Sequence, residues 1–116
     1  MKPQTEPSRG EIWIADLSPT VGHEQAGRRP CLVVSVDPLN HGPAGITIVI
    51  PITSTRRGIP THVEVDPPEG GLSNKSFIKC EDVRSISKQR LAKRLGPATK
   101  KTMSLVEDRL RILMSL

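Results

Sequence analysis

Three side chains with complementary chemistry stand at two places in this sequence. Glu24 and Arg29 lie within G-H-E-Q-A-G-R-R-P (22–30), and Thr53 within I-V-I-P-I-T-S (48–54). A guanidinium keeps its charge at any working pH and offers a planar fork to phosphate oxygens, so Arg29 suits the charge that grows on phosphorus in a transition state. It is a poor proton donor. Thr53 can hydrogen-bond the same phosphate, and Glu24 can accept the proton of an attacking hydroxyl if its surroundings raise its pKa. RNA carries its own nucleophile in the 2′-hydroxyl, so such a trio needs neither a metal nor a covalent intermediate to break an RNA phosphodiester. The plainer reading of the same residues is a surface loop with a structural Glu–Arg pair, a common and weak arrangement.

Chemistry of this kind needs rigid mounts. Pro30 lacks an N–H, fixes its own φ and pushes Arg29 toward an extended conformation, so the guanidinium leaves at a strand rim. Cys31, Leu32, Val33, Val34 and Val36 then read as a largely buried strand over 29–36. Gly22 and Gly27 bracket Glu24 and Gln25, as suits a loop that bends at both ends. A first strand over 11–16 alternates around Ile12 and Ile14, and the 17–28 connection after it is longer than a hairpin requires. Turn formers over 37–44 return the chain into a third strand, 45–53, with Ile46, Ile48 and Ile50 on one face. Pro51 argues for an edge, bulge or rim just before Thr53. A polar, basic loop (54–60) follows, then strands over 61–66 and 75–82, a short helical turn over 84–89 and a short strand over 91–95. From Thr99 onward, Met103, Val106, Leu110 and Leu113 recur at spacings of a helix that covers the sheet.

At 116 residues the chain is expected to be one domain, 9–116, behind a frayed tail, 1–8. Eleven prolines and nine glycines predict many short elements, a mainly β fold of five or six strands with a terminal helix. No apolar run reaches the roughly 18 residues of a membrane span, and the N-terminus lacks a signal core, so a cytoplasmic protein is expected. Cys31 and Cys80 in apolar runs fit a reducing compartment, with a bridge between them left open. The net charge is +5, with one basic focus over 84–101 and another at Arg28, Arg29, Arg56 and Arg57, which points to a polyanion. Trp13 and Phe77 are the only aromatic residues, which argues against a base-stacking platform. His23, His41 and His62 are far apart and no cysteine pair has ligand spacing, so neither a metal nor a cofactor is expected. Walker, G-x-G-x-x-G and G-x-S-x-G signatures are absent. His23 is either an acid–base group beside Glu24 or an exposed loop histidine; Arg56 and Arg57 either hold phosphates or sit on a solvated loop.

The blocks R-G-E-I-W-I-A-D-L-S-P-T-V-G-H-E-Q-A-G-R-R-P-C-L-V-V-S, I-V-I-P-I-T-S, P-T-H-V-E-V and C-E-D-V-R-S-I-S-K-Q-R-L, in that order, resemble the MazF/PemK family of toxin endoribonucleases over residues 9–116. The resemblance implies a small SH3-like β-barrel with short helices, a C-terminal amphipathic helix and a homodimer. It implies metal- and ribosome-independent cleavage of single-stranded RNA at short motifs, leaving a 2′,3′-cyclic phosphate and a 5′-hydroxyl and so stopping translation and growth. Arg29 and Thr53 match the family's functional arginine and threonine, with Glu24 in support. Gln25, Arg28, Ser54, Arg56, Arg57 and His23 are candidates for substrate binding. The implied partner is a cognate antitoxin whose acidic, partly disordered segment lies beside Arg28, Arg29, Arg56 and Arg57. His23 departs from a frequent serine, and Asp82 stands where an amide often follows the acid. The same barrel could instead serve a toxin of a protein target such as gyrase, or a non-catalytic nucleic-acid-binding module; the Arg29–Thr53 pair and the basic bias favour RNA cleavage.

Overall fold

The computed structural model describes residues 6–18 and 27–116. Seven strands are present among them: β1 Glu11–Asp16, β2 Arg28–Val33, β3 Ile46–Thr53, β4 His62–Val65, β5 Ser76–Lys79, β6 Arg84–Ser87 and β7 Leu91–Pro97. Every pairing is antiparallel, in the order β4-β5-β3-β2-β1-β7, with β6 beside β3. Helix α1 (Asp37–Asn40) joins β2 to β3, and α2 (Lys100–Met114) ends the chain. The mainly β class with a C-terminal helix is the expected one, and the strand count is higher.

The extra strand is β6. A run of basic and hydroxyl residues with one apolar position reads as an exposed helical turn. The first half of β3, however, presents an open ladder, and Arg84–Ser87 pairs along it from Val49 to Ile46, burying Ile86 to 4% exposure. Only Lys88–Arg90 is helical, as a 3₁₀ turn. β7 likewise runs on through Gly96 and Pro97, which pair with Ile12 and Glu11. Proline is tolerated there because β7 is an edge strand, whose outer side has no ladder partner to lose.

The sheet buries apolar residues on both faces. Ile12, Leu32, Ile50, Ile52, Val63, Ile78 and Val106 belong to one cluster; Trp13, Ala15, Leu17, Cys31, Val33, Val49, Ile86 and Leu91 form the other. Successive β1 residues thus serve opposite cores, as the two-residue side-chain period demands. Helix α2 covers the first cluster through Val106, Met103 and Leu110, while Leu113, at the end of the expected stripe, is 41% exposed. Thr99 caps this helix, its Oγ1 accepting Thr102 N–H at 3.1 Å. Ile46 is 38% exposed, because the first residue of β3 lies beyond both clusters.

Two segments outside the strands are held by polar contacts. The segment 37–44 is a turn that contains α1, anchored by a buried Asn40 whose Nδ2 donates to Ser35 O at 2.8 Å and whose Oδ1 accepts from Thr47 Oγ1 at 2.8 Å. Residues 6–8, read as tail, are held: Pro7 is buried, Lys88 Nζ lies 3.2 Å from Glu6, and Ser8 N–H donates to Glu11 Oε1 at 2.8 Å. Residues 1–5 lie outside the described residues.

Candidate active-site cleft

Pro51 marks the place where β3 changes partners. β2 flanks one edge of β3 as far as Cys31↔Pro51, while on the opposite edge β6 pairs as far as Val49↔Arg84 and β5 takes over at Ile52↔Ile78 and Thr53↔Phe77. The missing N–H of Pro51 therefore falls at the handover. Carrying the β2–β3 register two residues onward sets Arg29 level with Thr53. Arg29 is also opposite Ala15 on β1, so its backbone is part of a ladder although its side chain is exposed.

Arg29 and Thr53 line one cleft of about 290 Å³. Its floor is apolar: Ile14, Pro30, Ile52, Leu72 and Leu95. Ser54, Ser73, Asn74 and Ser76 supply the remaining polar wall. Thr53 Oγ1 accepts Thr55 N–H at 3.2 Å, which leaves its own proton to donate into the cleft. An arginine and a hydroxyl donor over an apolar floor can hold a phosphate while excluding water from one side of it. A second, larger cleft of about 420 Å³ lies beside the start of α2, but there Arg9 is paired with Glu107 at 3.0 Å and Glu11 with Arg94 at 3.3 Å.

The other candidate residues are distributed unevenly. Ser54 lines the cleft. Arg28 is at the start of β2 opposite Asp16, exposed and outside the cleft lining. Arg56 lies over the Phe77 ring at 5.0 Å and its Nη2 is 2.9 Å from Glu64 Oε1, so contact with a phosphate requires it to leave Glu64. Lys75 shares that carboxylate at 3.0 Å, and its hydrogen bond, with Arg56 in support, holds Glu64 below the usual carboxylate range despite some desolvation. Arg57 is exposed on the same connection. His23, Glu24 and Gln25 lie outside the described residues.

Sequence reasoning missed Ser73, Asn74 and Ser76. P-P-E-G-G-L-S-N reads only as a turn, yet it folds back so that Gly71 meets β7 and the S-N pair faces the cleft. The sole local signal was a Gly-Gly step followed by small polar residues before a strand.

The cysteines take no part in this chemistry. Both are buried and unbridged, and burial pushes each thiol up to about 12. Cys31 is an inert packing residue two positions from Arg29. Among the described residues no group of three or more His, Cys, Asp and Glu side chains is placed to hold a metal ion, and no helix is long and apolar enough to cross a membrane.

Comparison with known proteins covers nearly all of the chain. Residues 8–114 match the family model described as PemK-like, MazF-like toxin of type II toxin-antitoxin system. A curated relative, Endoribonuclease EndoA of Bacillus subtilis (strain 168), is 38% identical over 109 residues, 93% of this chain and 94% of that one. A crystal structure of MazF from Deinococcus radiodurans superposes with a TM-score of 0.83 at 29% identity, covering 95% of this chain and 97% of the other. An endoribonuclease in complex with its cognate antitoxin, from Mycobacterial species, gives a TM-score of 0.78 at 26% identity, with 95% and 96% covered.

Proposed function

This chain belongs to the PemK-like, MazF-like toxin family of type II toxin–antitoxin systems, and from that premise we propose how its own residues cut RNA. The protein is a toxin endoribonuclease that cleaves single-stranded RNA at a short sequence. The observation that carries the mechanism is the placement of Arg29 and Thr53 at adjacent strand ends lining one cleft. The 2′-oxygen attacks phosphorus, the bond to the 5′-oxygen breaks, and the products are a 2′,3′-cyclic phosphate and a 5′-hydroxyl. Arg29 stabilises the charge on the non-bridging oxygens, and Thr53 donates to one of them. Glu24 takes the 2′-hydroxyl proton and later releases it to solvent, and the departing 5′-oxygen takes up a proton from water. Ser54, Gln25, His23, Arg28, Arg56 and Arg57 bind the strand around the reacting phosphate.

No step of this scheme requires a metal, because a guanidinium supplies the electrostatic role a cation would fill. Incubating the purified protein with a long RNA in EDTA, then mapping ends, is the direct test. The expected result is undiminished cutting with cyclic-phosphate and 5′-hydroxyl ends. Activity lost in EDTA and restored by magnesium would exclude the scheme.

The toxin's natural partner is an antitoxin, which we place with an acidic, partly disordered segment over Arg28, Arg29, Arg56 and Arg57. Such a segment covers a wide basic surface and competes with the RNA backbone. Affinity is expected to weaken about tenfold or more as salt rises from about 0.05 to 0.5 M. Equal binding across that range, or to a variant with all four arginines replaced, would remove this partner surface.

A two-fold homodimer is the working form, in the cytoplasm. The sheet path ends at β4 and β7, edges that self-association can cover, and a dimer brings two basic loop sets to one groove for a strand of several nucleotides. Sedimentation at micromolar concentration should give twice the chain mass. A fully active monomer there would overturn the assembly.

A further inference from the structure

The connection between β1 and β2 has a closed neck. Leu17 N–H donates to Gly27 O at 2.9 Å, and Gly27 N–H donates to Ser18 Oγ at 2.9 Å, so the chain leaves β1 and returns to β2 through one hydrogen-bonded gate. Ser18 N–H is itself held by Asp16 Oδ1 at 3.0 Å. Gly27 has φ +75° with nothing near the position of a Cβ, so the turn back into β2 needs glycine for its conformation alone. From beneath, the Leu17 side chain is fully buried in the second cluster.

Arg90 reaches this neck from a distant part of the sequence. It closes the 3₁₀ turn Lys88–Arg90, immediately before Leu91 pairs with Ala15, which sets it level with the end of β1. Its Nη1 donates to Asp16 O at 3.0 Å and also to Ser18 O. One charged nitrogen thereby joins the two carbonyls on either side of Leu17. The pairing of β1 with β7 ends at Ala15, so on that side neither carbonyl has a β7 partner, and a charge-assisted donor holds them more firmly than water does.

We propose that Arg90 is a positioning residue for RNA cleavage. Through Asp16 O and Ser18 O it holds the neck at Leu17, Ser18 and Gly27, and so sets where Arg29, two residues past the neck, stands relative to Thr53. The inference rests on the endoribonuclease reading above. A plainer role for Arg90, as one more cation attracting the RNA backbone, has a different signature. Loss of a steering charge acts on KM, and removing Lys93, exposed on β7, should mimic it. Loss of a positioning contact acts on kcat, because a displacement of about 1 Å away from the chemistry costs on the order of 10²-fold.

The test uses the full chain as wild type, Arg90→Ala, Arg90→Lys and Lys93→Ala, with amide hydrogen exchange at Leu17 and Gly27 and steady-state cleavage of a short single-stranded RNA. In Arg90→Ala, exchange at those two amides should accelerate about tenfold or more while Leu32 and Ile50 keep their protection. Its kcat should fall about 10- to 100-fold with KM nearly unchanged. Arg90→Lys should recover part of both, since a single ammonium can serve two carbonyls. Lys93→Ala should keep the wild-type kcat. Unchanged exchange in Arg90→Ala, faster exchange with an unchanged kcat, or the same kcat loss in Lys93→Ala would each overturn the proposal. Should the alanine variant fail to fold, Arg90→Gln carries the same comparison. A wild-type protein that cuts no RNA would instead bring down the endoribonuclease reading, and the exchange data would still decide whether Arg90 holds the neck.

Discussion

Arg29→Ala is expected to lower RNA cleavage by on the order of 10² or more while the protein remains folded. The side chain is exposed at the rim of β2, so its removal empties no core. Its backbone pairing with Ala15 does not depend on the side chain and survives the substitution. What is lost is a donor aimed at charge that exists only in the transition state, so the fall should appear in kcat more than in KM. Arg29→Lys should recover only part, because a point charge lacks the planar fork. Steady-state rates on a short RNA, with a thermal melt of each variant, decide the matter; a folded Arg29→Ala protein cutting at the wild-type rate would dismiss Arg29 from the mechanism.

The second large effect is on the scaffold of the same cleft. Gly71, in the 3₁₀ turn Glu69–Gly71, has φ +75°, and a Cβ there would collide with Leu95 O and stand 2.8 Å from the Leu95 carbonyl carbon. Both line the cleft. Gly96 of β7 is approached less tightly from the other side, where a Cβ would come to 3.1 Å from the Gly70 carbonyl carbon. Gly71→Ala thus combines a left-handed backbone penalty with a backbone collision, together about 2 to 5 kcal/mol. The melting temperature should fall by about 10 °C or more. Gly10→Ala is the control: its φ is +91°, but nothing lies within 4 Å of the added atom, so only the conformational part, about 1 kcal/mol, should be lost. Equal melting temperatures for Gly71→Ala and the wild type would mean that the turn does not rest on β7 as described.

Local pattern was enough for the elements whose information is local. β1 over 11–16 is legible because Ile12, Trp13 and Ile14 sit in a short apolar run bounded by acids, and α2 because four apolar residues recur at helical spacing after a threonine cap. The site was legible in part for the same reason: R-P pins an arginine at a strand rim, and P-I-T places a hydroxyl at a strand end, both consequences of what proline does to its own backbone and its neighbour's. The family blocks added the activity, because order and spacing of such residues over a whole chain are more specific than any pair of them.

Tertiary structure alone decided the rest. Arg84–Ser87 became a strand because the edge of β3 away from β2 is covered by β5 only from Ile52 onward, which leaves Ile46–Val49 of that edge to be paired. Arg56, on the connection between β3 and β4, was engaged by Glu64 of β4 and Phe77 of β5. Ser73 and Asn74 reached the cleft because Gly70 and Gly71 let a turn press against β7. Arg90, one cation in a basic run, found the carbonyls of Asp16 and Ser18 across more than half the chain. Periodicity and proline act over a few residues and can be read in order; a partner's identity depends on which distant backbone the packed sheet brings within hydrogen-bonding reach.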